Sequence, residues 1–248
     1  MNPTIAQLQN RRSIRQFTGE RVSDADLELI FKTAQRAPTS INGQQISLVY
    51  TKDKDKIKKI AELCGGQPQI ATADVFVAII IDFNRTAKAV ELAGKEHVIE
   101  HSAEGIMVGA IDAGIMLSSL QTAAEALGYG TTAIGAVRAN PEAMIELFNL
   151  PPKTFVAVGS TIGVPTEAAK NAPLKPRISL DSFAMKETYD NARVLDAVEP
   201  YNDAMRTFRD ATGSGDMPTY VELTANYYSS VYFPKTGTTL EAQGFEFA

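Results

Sequence analysis

Seven consecutive residues, Arg11-Arg12-Ser13-Ile14-Arg15-Gln16-Phe17, carry the densest set of groups in the chain that could hold a charged ligand. Three arginines and a serine hydroxyl fall within five positions, and an aromatic ring closes the run. Side chains alternate between faces in an extended segment. Arg11, Ser13 and Arg15 then point one way, Arg12 and Ile14 the other. The first face offers two guanidinium forks and a hydroxyl, which suits a phosphate monoester with an electron-rich ring beyond it. Clustered charges are more often plain solvated surface, so the weight of this stretch depends on what accompanies it.

A second cationic pair stands in Lys175-Pro176-Arg177, where the proline favours an extended geometry. Read alone it is a turn with solvated charges. His97-Val98-Ile99-Glu100-His101 matches H-x-x-E-H, an inverted zinc-peptidase pattern. On a helix the two histidines would share a face and could chelate zinc. They are the only two histidines present, so a third ligand would have to be an unmarked carboxylate. The surrounding AGKEHVIEHSAEG is charged, and a solvated surface excursion is the expected reading. Cys64 completes the apolar stripe Ile57, Ile60, Ala61, Cys64 and is expected in the core.

Several elements have to position these groups. Ser23 and the acidic Asp24 and Asp26 open an amphipathic helix through Leu27, Ile30, Phe31 and Ala34, stopped at Pro38. The loop 37–44 (APTSINGQ) is built of small and polar residues, backbone that can approach a flat ligand closely. Ile46–Tyr50 reads as a strand, and Asp53 begins a helix that Gly65-Gly66 ends. Val75–Ile81 (VFVAIII) is an unbroken apolar run of strand length, consistent with burial on both faces. Glu104–Leu127 is the longest helical pattern. It is apolar almost all round, with Gly105, Gly109 and Gly114 permitting close approach, so it is expected to be buried on most sides, with a subunit interface as the simplest partner. Thr131–Val137 reads as a strand interrupted by Gly135. Asn140-Pro141 opens a short helix through Phe148 as cap and first helical residue, and Phe155–Val164 is a fourth strand. Helices over Tyr201–Ala211 and Thr219–Val231 follow.

Composition narrows the class. The chain has 248 residues, is 44 % hydrophobic and 21 % charged, and carries a net charge of −5, which argues against general nucleic-acid binding. Residues 179–248 hold five basic and eleven acidic side chains, so an acidic C-terminal arm follows a near-neutral body. No apolar run approaches the roughly 18 residues a membrane helix needs, and residues 1–10 show no signal peptide. A single cysteine excludes an intrachain disulfide framework and fits a reducing cytoplasm. The expected division is a body of residues 1–178 and an arm of residues 179–248.

Arg11–Phe17, the APTSINGQ loop, Gly65-Gly66-Gln67, Glu125–Arg138 (EALGYGTTAIGAVR) and Lys175-Pro176-Arg177 occur in this order, and the series resembles the nitroreductase family of FMN enzymes, most nearly its NADPH-dependent group. The likeness covers roughly residues 1–190. It implies an α+β fold: a mixed, mostly antiparallel central sheet flanked by helices, a homodimer built on the long helix, and C-terminal arms wrapping the partner. It implies that Arg11, Ser13, Lys175 and Arg177 hold the FMN phosphate, with Arg12, Ile14 and Pro176 in the same two segments. Arg15 and Gln67 would contact the isoalloxazine ring, and Arg15, a cation near N1/O2, would tune it as the catalytic residue. Thr39, Ser40 and Ile41 would lie beside the ring, and Ala133, Ile134, Gly135 and Ala136 would line its other side near N5.

The resemblance implies a reaction as well. NADPH or NADH gives hydride to FMN and leaves, and a flat oxidant (nitroaromatic, quinone or free flavin) takes the electrons in a ping-pong scheme. Two departures stand out. Arg11 occupies a position where the family often has histidine. The stretch Ala211-Thr212-Gly213-Ser214-Gly215-Asp216-Met217 lacks the arginines with which close relatives clamp the NADPH 2′-phosphate, although Arg206 and Arg209 lie just upstream. Two further functions compete from other classes: a flavin-binding carrier without turnover, and a zinc hydrolase using His97, Glu100 and His101.

Overall fold

The apolar run at 75–81 becomes the axis of the molecule. In the computed structural model, which describes residues 2–247, strand β1 spans Ile46–Thr51, β2 Val75–Asp82, β3 Gly130–Ile134 and β4 Thr154–Gly163. The sheet order is β1-β2-β4-β3. The expected α+β fold with a mostly antiparallel sheet holds, and every pairing among the described residues is antiparallel. A bulge at Ile79/Ile80 shifts the register between β2 and β4.

Alternation along β2 explains why no polar residue interrupts it. Val75, Val77 and Ile79 face one core with Leu27 and Ile30 of the Asp24–Ala34 helix and Met116 and Leu120 of the long helix. Phe76, Ala78 and Ile80 face a second core with Ile57 and Ile60 of the Lys54–Leu63 helix and Met144 and Phe148 of the Pro141–Phe148 helix. Burial of each of the larger side chains here contributes on the order of 1.5–3 kcal/mol, and the Ala78 methyl less. Ile81, past the bulge, joins a third cluster with Phe83, Phe155, Leu240 and Phe245.

Local signals set the helix ends. Ser23 Oγ accepts from Asp26 N at 3.0 Å and Asp53 Oδ1 from Lys56 N at 2.8 Å, as expected of N-caps. Asn140 differs. Its side chain does not cap the following helix but donates to Leu63 O at 2.6 Å, tying the helix start to the neighbouring helix end. Residues expected to continue β3 instead coil into a 3-10 turn, Gly135–Arg138, because Val137 is buried in the second core and Arg138 Nη1 bonds Ala157 O.

The long helix runs Ala103–Ala126 and lies against the sheet. Gly109 is needed there, since a Cβ would stand 2.6 Å from Ile81 Cγ2. Gly114 is not needed for packing within one chain: nothing lies within 4 Å of a Cβ added to it. By length and composition this helix would suffice to cross a bilayer, contrary to the expectation from unbroken apolar runs, yet its inner face packs on the sheet and buries Asp112 and Gln121.

The chain divides into two compact units, residues 1–171 with 233–248, and residues 172–232. In the first, the helix Thr236–Ala242 and the fully buried Phe245 pack with Phe83 and Phe155. The second contains the helices Val198–Ala211 and Tyr220–Tyr228, the latter opened by a capping box between Thr219 and Glu222. Tyr201 and Tyr220 stack edge-on at 4.8 Å.

Candidate active site

The cationic segment is docked by its one apolar residue. Ile14 is buried, its amide donates to Thr131 O at 2.8 Å, and Thr132 Oγ1 bonds its carbonyl. Thr18 N donates to Val164 O at 2.9 Å and Thr166 N to Gln16 O at 3.1 Å, so the segment runs beside the ends of β3 and β4. Ser13 and Arg15, flanking Ile14, are exposed, as alternation requires. The close approach depends on Gly130, where a Cβ would meet Ile14 Cγ2, Cβ and Cγ1 at 2.6, 2.7 and 2.8 Å.

Arg11 and Arg12 are more committed than the sequence suggests. Arg11 Nη2 donates to Gln121 Oε1 at 3.1 Å, and its Nε lies 3.8 Å from Glu125 Oε1. Glu125 accepts from Thr131 Oγ1 at 2.7 Å, and Gln121 Nε2 donates to Ser160 Oγ at 3.2 Å. Burial raises the Glu125 carboxyl above its ordinary pKa, against the opposing pull of Thr131 and Arg11. Arg12 Nη1 donates to Lys170 O at 2.9 Å, leaving its Nε buried without a hydrogen bond.

Small residues continue this surface. Ala133 is exposed on β3 while Ile134 turns into the core, and Gly135 and Ala136 begin the turn that follows, half-buried. Gln67 precedes the short helix Pro68–Ala71 and accepts from Gln69 Nε2 at 2.6 Å. Thr39, Ser40 and Ile41 lie in the loop before β1. Ser40 N lies 3.3 and 3.2 Å from the two carboxylate oxygens of the buried Asp112. Ile41 has φ +49° and is 95 % exposed, an unfavourable backbone for a β-branched residue. Lys175, Pro176 and Arg177 belong to the second unit, where Arg177 is exposed and its Nη1 reaches Pro176 O at 3.2 Å.

Asp112, Gln121 and Glu125 were not among the residues expected at the site, though three polar residues in an apolar helix were a visible signal. The HVIEH motif departs from expectation in another way. It is not a solvated face. Glu100 is fully buried in a single 3-10 turn, facing His97 Nδ1 and Lys153 Nζ. His101 bridges outward, its Nδ1 2.9 Å from Glu246 Oε1 and its Nε2 3.7 Å from Glu100 Oε1. Glu246 N donates to Glu100 O at 2.9 Å and Lys153 N to Gln243 O at 2.7 Å, so the motif clamps the C-terminal segment. Among the described residues no group of three or more His, Cys, Asp or Glu could hold a metal ion.

The sequence matches the nitroreductase family over residues 8–164 and the C-terminal domain of that family over residues 175–248. The chain belongs to the nitroreductase family. A protein of Bacillus subtilis strain 168 named as an FMN reductase for NAD(P)H is 40 % identical over 249 residues, covering 99 % of both chains. The solved structure of B. megaterium NfrA2 superimposes with a TM-score of 0.95 at 37 % identity and covers 100 % of each chain. The NADPH:FMN oxidoreductase from Vibrio harveyi complexed with NAD+ gives a TM-score of 0.86 at 26 % identity over 98 % of each chain.

Proposed function

We infer that this chain is an FMN-dependent NAD(P)H oxidoreductase of the nitroreductase and flavin reductase type. The observation that carries the reading is the exposed Ser13–Arg15 pair, docked through Ile14 beside Ala133, in a chain that aligns from end to end with an FMN reductase. The residues fit the cofactor: a hydroxyl and a guanidinium stand free on one face, and the small Ala133, Gly135 and Ala136 leave room for a flat ring. FMN, when bound, supplies the hydride and electron chemistry, and the protein supplies binding and electrostatics.

In this reading Arg11 and Ser13, with Lys175 and Arg177, hold the phosphate. Arg12, Ile14 and Pro176 support those two segments. Arg15, with Gln67, meets the ring, and its charge favours the more negative reduced state. Thr39, Ser40 and Ile41 border the ring on one side and Ala133, Ile134, Gly135 and Ala136 on the other. The nucleotide and a flat acceptor (nitroaromatic, quinone or free flavin) occupy the same space in turn.

The protein acts as a homodimer in the cytoplasm. Met107 and Ile111 of the long helix are 57 % and 54 % exposed, in line with Ala110 and the open Gly114, an apolar row suited to a second copy. Residues 179–232 serve as the arm that reaches the partner and the nucleotide; residues 233–248, expected in the same arm, instead pack on the first unit through Leu240 and Phe245.

The test is an absorption spectrum of purified protein followed by anaerobic titration with NADPH and, separately, NADH. Flavin bands that bleach with nucleotide and return with a quinone are the expected result. A colourless protein that binds no added FMN overturns the reading, and a yellow protein inert to both nucleotides makes it a carrier. Arg177→Ala should shed FMN on dilution while remaining dimeric; unchanged FMN affinity would remove that phosphate assignment.

A further inference from the structure

Asp112 sits on the inner face of the long helix, 3 % exposed, between Ile111 and Ala113. A carboxylate there loses most of its hydration and requires hydrogen-bond donors in return. Burial drives its carboxyl above the ordinary pKa, only partly offset by the Ser40 amide. Its donors are few and specific: Ser40 N lies 3.3 and 3.2 Å from its two oxygens, and Gln45 Nε2 donates to Oδ2 at 2.6 Å.

Those donors are the two ends of one loop. Between them Ile41, Asn42 and Gln44 all adopt left-handed backbone, with φ of 49°, 55° and 54°. Such backbone is sterically unfavourable for non-glycine residues, least so for Asn, and persists only where the surrounding structure imposes it. Ile41 is almost wholly exposed, so no burial offsets its share. Within the loop Gln44 N donates to Thr39 Oγ1 at 3.0 Å, and Arg85 bonds the Gln44 carbonyl. Gly43 leaves no room, because a Cβ there would collide with Gln45 Oε1 and stand 3.3 Å from Ser40 O. A strained loop clamped at both ends by one buried carboxylate is built to hold a shape.

We propose that Asp112 is a positioning residue for the reaction: through Ser40 and Gln45 it fixes the left-handed Thr39–Gln45 loop, and so sets how well a flat acceptor fits beside the ring. This rests on the reading that the loop borders FMN. Asp112 touches neither cofactor nor acceptor; its effect passes through the loop.

The experiment compares holoenzyme carrying Asp112→Leu, Asp112→Asn and Gly43→Ala, using a quinone as acceptor. Asp112→Leu leaves both donors unpaired, and Asp112→Asn keeps one acceptor oxygen. Gly43→Ala leaves the carboxylate in place and disturbs the loop by crowding the Gln45 amide that donates to it. Asp112→Leu and Gly43→Ala should each raise the acceptor KM about tenfold with kcat within about threefold, and hydrogen exchange across residues 39–45 should accelerate. Asp112→Asn should recover most of the loss in both readouts. Should Asp112→Leu fail to fold, Gly43→Ala and Asp112→Asn carry the test. Unchanged acceptor KM and unchanged exchange in folded Gly43→Ala, or an Asp112→Asn variant more impaired than Gly43→Ala, overturns the proposal. Wild-type protein without flavin turnover sinks the parent reading and this one together; active wild type with unaffected variants sinks this one alone.

Discussion

Gly130→Ala tests whether the cationic segment binds FMN, and its effect can be worked out from the contact it would create. The added Cβ would stand 2.6, 2.7 and 2.8 Å from three atoms of Ile14. Carbon atoms pack at about 3.5–4.0 Å, so each contact is short by about 1 Å. One of the three is the Ile14 Cβ, which no side-chain rotation can move. Relief therefore requires the backbone of residues 11–17 to lift from β3, against the Ile14–Thr131 and Thr132–Ile14 hydrogen bonds. Such bonds are worth about 0.5–1.5 kcal/mol each, while overpacking of this kind costs about 1–3 kcal/mol. The two bonds together oppose that cost with about the same free energy, so the segment should be displaced in a substantial share of the unliganded protein. If FMN binding has to press it back, affinity falls by up to the overpacking cost, at most about 150-fold at 1.4 kcal/mol per tenfold. Fluorescence titration of apoprotein with FMN measures it. Gly237→Ala, in a helix with nothing within 4 Å of the new Cβ, is the control and should bind FMN normally. A folded Gly130→Ala protein with wild-type FMN affinity would refute the role of this segment, or its docking through Ile14.

Lys153→Met takes away the lysine that faces the buried Glu100, leaving only histidines against it, and should destabilise the protein by up to about 3–5 kcal/mol in urea unfolding; a loss under about 1 kcal/mol would mean the C-terminal clamp is idle. The same group predicts a pH dependence. Burial alone would raise the Glu100 carboxyl, but the Lys153 hydrogen bond, with His97 and the Lys153 charge, brings it below its ordinary value. A carboxylate lowered by folding stabilises fully above its unfolded pKa, and that stability disappears as pH falls through the lower folded value. Acid titration of unfolding free energy should show this loss in wild type and not in Lys153→Met. Burial pushes the Cys64 thiol up to about 12, so a thiol reagent should label it only on unfolding, and rapid native labelling would contradict its core placement. Ile111→Glu should convert the dimer to monomer in light scattering, whereas a persistent dimer would move the interface off the long helix.

What the sequence disclosed depended on whether a residue's partners were near it in the chain. The VFVAIII run announced β2 and its burial on both faces, because period-two alternation with no polar member has few other meanings. Ser23 and Asp53 were legible as caps because their acceptors serve amides three residues on. Alternation around Ile14 likewise foretold that Ser13 and Arg15 would share an exposed side. Glu100 was misread because the cation that justifies its burial is Lys153, 53 positions away, and the charges beside it in sequence pointed to solvent. Asp112 failed for the same reason, since its donors Ser40 and Gln45 lie 72 and 67 positions back. The return of Phe245 to a core with Phe83 and Phe155 left no periodic trace either. In each missed case the residue was polar or isolated in a segment whose pattern assigned it elsewhere. Buried polar groups are satisfied by distant partners, and those partners tie the scaffold to its loops. An acid, amide or glutamate set in an apolar helix, such as Asp112, Gln121 and Glu125, is therefore where a sequence should be searched for the supports of a site, before the site's own cations are counted.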